Sequence, residues 1–201
     1  MTSSLAEPPA VTGTCPPPLA AAVRRAVRSG GSWQQTAASV VAALRGHLPE
    51  VGLLSAGPLN SGPLNSGLLG SGLLSAAQLA GDPSGYQTHL VHDEPDGSFS
   101  ILVAVWQPGQ ETPVHDHLSW CCTAVLQGTE YEEVYAVRGD HLEVVARNAN
   151  PVGTVSGFAP PGDVHLVRNI GDTVAVSMHV YGTDIARVGS SVRRVYDLPV
   201  H

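Results

Sequence analysis

The sequence predicts an all-β sandwich or barrel with a short helical N-terminal segment. Three observations predict it. From Tyr86 onward the apolar or alternating runs are short. Turn-forming pairs and triplets separate them: Pro95-Asp96-Gly97, Pro108-Gly109, Gln127-Gly128, Arg138-Gly139-Asp140 and Ile170-Gly171-Asp172. Before that point the texture is different, with an alanine-rich stretch and a serine positioned to start a helix.

Taken in order, residues 1–16 read as a disordered tail, being rich in proline and small polar residues. Residues 17–50 form the helical segment: a helix over Pro17–Arg28, then a second one N-capped by Ser32, carried by Val40, Val41, Ala43 and Leu44 and ending near His47. Residues 51–85 read as a low-complexity Gly/Ser/Leu/Pro loop, whose 55–75 stretch nearly repeats every five residues. Such a duplication costs little loop-closure entropy and is assigned no function. The β domain occupies 86–201, with strands expected at Thr88–His92, Phe99–Trp106, Trp120–Leu126, Glu130–Val137, Leu142–Ala146, Val164–Val167 and Val174–Tyr181.

A chain of 201 residues can bury one sizeable core. Its formal net charge is -7, and its ten basic residues are all arginine. That balance gives no electrostatic reason to bind nucleic acid or an anionic membrane. No run of apolar residues is long enough to span a bilayer, and the N-terminus lacks the pattern of a signal peptide. Cys15, Cys121 and Cys122 do not form a disulfide framework, so a cytoplasmic location is expected.

The chemistry centres on His115-Asp116-His117. Alternate residues of a strand face the same way, so both imidazoles can point into a barrel. A third histidine from a facing strand, His165 or His179, would complete a facial set with open positions. Imidazole suits iron, zinc, copper and nickel, so the ligands do not choose the metal. Gly109, five residues, His115-x-His117, three residues, Cys121, six residues and Gly128 follow the spacing of the first cupin motif. Pro160-Pro161-Gly162, two residues, His165, three residues and Asn169 follow the second. The stretch Tyr86–Asp197 therefore resembles a cupin, which implies a double-stranded β-helix, or jelly-roll barrel. Cys121 stands where that motif normally has Glu.

Within the cupins, the residues resemble the thiol dioxygenases, the family of cysteine dioxygenase and 3-mercaptopropionate dioxygenase. The resemblance implies Fe(II) held by His115, His117 and His165, with a small thiol and O2 as substrates and a sulfinic acid as product. Ser177-Met178-His179-Val180-Tyr181 resembles the family's Ser-x-His-x-Tyr, a hydrogen-bonded relay beside the iron, which makes His179 a support for Tyr181. Cys121 resembles the cysteine that in some members crosslinks to the active-site tyrosine. Strand parity counted from His115 favours Cys121 over Cys122 on the iron side. Trp106 and Trp120 are expected either to line or support the cavity or to pack in the core. The match breaks at the carboxylate clamp: where cysteine dioxygenases carry Tyr-x-Arg, this chain has Tyr86-Gln87-Thr88. Threonine cannot make a bidentate charged pair. Arg193-Arg194 resembles the arginine pair of the mercaptopropionate enzymes and favours a mercapto-acid over cysteine. Arg168 is expected on the outer face.

Two rivals are a non-catalytic metal-binding cupin sensor and a cupin enzyme for a non-thiol substrate. The Ser177-His179-Tyr181 set argues against the first, and Cys121 in the Glu position argues against the second. A monomer or homodimer fits equally.

Overall fold

Apart from the hairpins over residues 87–106 and 129–151, consecutive strands of this chain cross between two antiparallel sheets. The structure, a computed structural model, describes residues 10–50, 52–53 and 70–201. Its strands are β1 (Gln87–Asp93), β2 (Ser100–Trp106), β3 (His115–His117), β4 (Cys121–Gln127), β5 (Thr129–Arg138), β6 (His141–Pro151), β7 (Val155–Phe158), β8 (His165–Arg168), β9 (Ala175–Tyr181) and β10 (Val192–Val195). One sheet has the order β1-β2-β9-β4-β7 and the other β10-β3-β8-β5-β6. Because β3 and β4, β4 and β5, and β8 and β9 lie in opposite sheets, the chain winds as the double-stranded β-helix of a cupin.

The first sheet is buried on both faces, which is why β2 reads as an unbroken apolar run. Ile101, Val103 and Val105 face the helices, where they pack with Leu19, Val40 and Leu44. Leu102, Ala104 and Trp106 face the barrel interior. The helices are α1 (Pro17–Arg28), α2 (Trp33–His47), α3 (Ala76–Leu79) and α4 (Ile185–Val188). Ser32 caps α2 in a reciprocal capping box with Gln35, as the serine implied. Arg24 on α1 grips Glu94 through two hydrogen bonds of 2.5 and 2.9 Å, and His92 adds a third at 2.9 Å.

Two expectations at the N-terminal side change. Of the proposed disordered tail, residues 1–9 lie outside the described residues, whereas Thr12 and Cys15 donate backbone hydrogen bonds to Leu90 and Val91 at 2.9 and 3.1 Å. Cys15 is buried there, so this part of the tail is an extra strand-like lining for β1. Much of the five-residue repeat lies outside the described residues. The end of the supposed loop is not loop-like: Leu73, Leu74 and Leu79 are buried, and Ser75 caps α3. Gly13 makes this possible, since a Cβ there would sit 2.2 Å from the Leu73 carbonyl oxygen. β7 and β10 are additional strands; β7 is short and β10 wholly exposed, so neither carries an apolar signal.

Candidate metal centre

β3 supplies His115 and His117, and β8 supplies His165 directly opposite His115. Their candidate ligand atoms all lie within 4.8 Å of one another, and all three side chains are buried. His179 is not part of this group, so of the two facing-strand histidines it is His165 that stands with the pair on β3.

Each imidazole is held from behind. His115 Nδ1 lies 2.9 Å from the Pro113 carbonyl oxygen, His117 Nδ1 lies 3.3 Å from Asp163 Oδ2, and His165 Nδ1 lies 2.7 Å from Glu132 Oε1. Carbonyls and carboxylates only accept, so the proton sits on Nδ1 and the Nε2 lone pair is free. Burial, followed by the neighbouring imidazoles, pushes His115 down to about 3, and burial also lowers His117. The neutral state is the one that can donate a lone pair to a cation. Burial works to raise Glu132 and Asp163, but their hydrogen bonds from His165 and His117 outweigh it and hold both below the usual carboxylate range. The donor set therefore fits a divalent transition metal: three neutral nitrogens, aimed together and braced by two carboxylates and a carbonyl.

Beside it runs a row of side chains from β2 and β9. The Trp106 indole N–H donates to Ser177 Oγ at 3.1 Å, Ser177 Oγ lies 2.9 Å from His179 Nε2, and His179 Nδ1 lies 3.3 Å from the Tyr181 hydroxyl. Cys121 and Tyr181 are direct cross-strand partners and share a hydrogen bond. Burial raises both well above their ordinary values, so both keep their protons. Cys122 points the other way, with Sγ 3.4 Å from the Ala37 carbonyl oxygen on α2, as strand parity requires.

These groups enclose a cavity of about 150 Å³. Tyr86 lines it and stacks on Trp106 with ring centroids 4.5 Å apart. Three expected residues do not line it. Trp120 belongs to the core on the helix side, pressed against Gly182. It stands just before β4, and of its two expected roles the core-packing one is what the structure has. Arg193 turns away to Asp116, which also accepts from the Tyr196 hydroxyl at 2.8 Å. Arg194 lies over the Tyr196 ring at 4.6 Å. Arg168 is on the outer face as expected, over Tyr131 and 3.5 Å from Glu133.

Sequence reasoning missed Glu132, Asp163 and Glu130. Glu130 is buried with Oε1 at 3.7 Å from His179 Nε2. A signal existed: Glu130 and Glu132 share one strand face, and Asp163 is two residues before His165.

Fold and site together define a cupin with a three-histidine group that could hold a metal ion. A family model described as cysteine dioxygenase type I matches residues 76–190, more than half the chain, and the chain belongs to that family. Cysteine dioxygenase type 1 of Homo sapiens is 30% identical over 105 residues, covering 50% of this chain and 52% of the human protein. The Bos taurus protein gives the same identity and coverage. The chain thus spans about half the length of the curated relatives it matches. Among solved structures, TT1209 from Thermus thermophilus is 21% identical with a TM-score of 0.42, over 51% of this chain and 87% of that one. An RmlC-like cupin protein from Desulfovibrio desulfuricans is 26% identical with a TM-score of 0.39, over 50% of this chain and 86% of that one. No helix among the described residues is long and apolar enough to cross a membrane.

Proposed function

We propose that this chain is an Fe(II)-dependent thiol dioxygenase of the cytoplasm, inserting both atoms of O2 into the sulfur of a small thiol to give a sulfinic acid. One observation carries the reading: the three free Nε2 atoms share one small cavity with Cys121, Trp106, His179 and Tyr181, and Ser177 behind the wall links Trp106 to His179. Membership of the cysteine dioxygenase type I family supports it. The chemistry that Fe(II) supplies when bound is redox activation of O2 beside a thiolate ligand.

The protein's own part follows from its residues. Three neutral imidazoles add no negative charge, so a thiolate is the ligand that gains most from a divalent cation there. Tyr181 holds a proton at its hydroxyl, facing the cavity as a donor to developing charge on oxygen. His179 fixes the phenol, and Ser177, pinned by Trp106, fixes His179. Leu102, Ala104 and Ile185 supply apolar wall that excludes water. Neither nucleic acid nor a membrane is a partner in this reading, and the three free cysteines, all buried, suit a reducing compartment.

The test is O2 uptake by protein loaded anaerobically with Fe(II), with a panel of small thiols and the product identified by mass. Two oxygen atoms added to the sulfur, with uptake abolished in His165→Ala, is the expected result. Stoichiometric iron with no uptake for any thiol would favour a non-catalytic metal-binding cupin or one acting on another substrate class.

A further inference from the structure

The far end of the substrate can be read from what lines the cavity mouth. The chain has no lysine, and its ten arginines all fall among the described residues. Seven of them pair with carboxylates: Arg24, Arg28, Arg138, Arg147, Arg168, Arg187 and Arg193. Arg45 donates to the Val155 carbonyl oxygen, Arg194 stacks on Tyr196, and Arg25 lies on α1. None lines the cavity. Apart from the histidines and Cys121, the polar side chains that line it are the neutral hydroxyls of Tyr86, Thr88, Thr112, Tyr181, Ser190 and Ser191.

The surroundings are instead acidic. Glu130, Glu132 and Asp163 are packed around the site, and Glu130 Oε1 is buried without a hydrogen-bond partner. A carboxylate brought into this cavity would lose its water and gain no charged partner at its far end, with three carboxylates behind the lining histidines adding to the cost. A hydroxyl or ammonium would lose less, since hydroxyl oxygens accept hydrogen bonds and the surrounding field favours positive charge.

We infer that the thiol taken by this cavity carries no carboxylate, and that its far end is a hydroxyl or an ammonium group donating to the hydroxyls that line the cavity. The inference rests on the thiol dioxygenase reading and narrows it, and it reverses the mercapto-acid preference drawn from Arg193-Arg194.

Binding can be measured without turnover. Protein loaded with Co(II) under anaerobic conditions is titrated with 3-mercaptopropionate, 2-mercaptoethanol and cysteamine, following the sulfur-to-cobalt charge-transfer absorption. The expected result is that 2-mercaptoethanol or cysteamine binds at least as tightly as 3-mercaptopropionate, and whichever is tighter identifies the far-end group. A charged clamp would favour the carboxylate by about tenfold or more. Tighter binding of 3-mercaptopropionate than of both others would overturn the inference while leaving the thiol reading standing; loss of that preference in Arg193→Gln or Arg194→Gln would name the clamp. No charge-transfer band with any thiol, despite stoichiometric cobalt, would sink the thiol reading itself.

Discussion

Glu132 and His165 meet across the β5–β8 pair, Oε1 to Nδ1 at 2.7 Å, with Glu132 opposite Val167, two residues beyond the histidine. The carboxylate is engaged on its other oxygen by Asn148 at 2.9 Å, so it is itself held. An outer carboxylate of this kind fixes the imidazole's tautomer and direction and raises its basicity as a ligand. Glu132→Ala is expected to weaken metal binding by about tenfold to a hundredfold. Glu132→Gln, which keeps an accepting oxygen, should recover part of that loss. Competition with a chromophoric chelator measures both. Unchanged affinity in Glu132→Ala would mean that the contact does not tune the site.

Tyr181 is at the cavity end of the Trp106-Ser177-His179 row. If its hydroxyl stabilises charge during the reaction, Tyr181→Phe should lower kcat by about a hundredfold with little change in KM. Ser177→Ala acts only by loosening His179, so its loss should be smaller. Steady-state O2 uptake separates the two. Equal losses in KM and none in kcat would assign the row to substrate binding.

The helical segment is fastened by one buried carboxylate. Arg24 and His92 both donate to Glu94, and these contacts hold its pKa below the ordinary value near 4.3 despite the opposing effect of burial. A depressed folded pKa means that the stabilisation is present above the unfolded pKa and is lost as pH falls through the folded one. Glu94→Gln should therefore lower Tm by a few degrees at neutral pH, with the gap to wild type closing as pH falls through the depressed folded pKa, below the ordinary carboxylate range. Thermal melts of both proteins across that range check it. A gap that is constant with pH would show that packing and not charge carries the contact.

Gly182 follows Tyr181 at the point where Trp120 crosses the end of β9. A Cβ on Gly182 would stand 2.2 Å from Trp120 Nε1 and 2.4 Å from its Cε2. The indole is fully packed in the helix-side core, so it cannot yield without disturbing neighbours. Gly182→Ala should cost about 1–3 kcal/mol of stability by overpacking. Adding Trp120→Leu should recover part of it, a coupling that denaturant titration of the double-mutant cycle would reveal. Additive losses would place the cost elsewhere.

Much of the architecture and site was legible because strand geometry is local. The alternation of side chains put His115 and His117 on one face of β3, and Cys121 and Cys122 on opposite faces of β4, as the structure has them; Cys121 meets the histidines because β3 and β4 lie in facing sheets. The helix starts at Pro17 and after Ser32 were legible because caps are written in adjacent residues. β10 was missed because an exposed edge strand, Val192–Val195, has no buried face to impose a pattern on its sequence.

The sequence by itself determined the run of short strands and the motifs bearing His115, His117 and His165, and its resemblance to cupins and thiol dioxygenases implied the winding, the three metal-ligand candidates and the Ser177-His179-Tyr181 row. Tertiary structure alone decided what meets those groups across the barrel. Sheet closure brings Glu132 to His165 and Asp163 to His117, packs Val11–Cys15 on β1, and turns Arg193 onto Asp116 instead of into the cavity. The physical reason is that a strand fixes the direction of its own side chains over a two-residue period, whereas their partners depend on register and closure between strands distant in sequence.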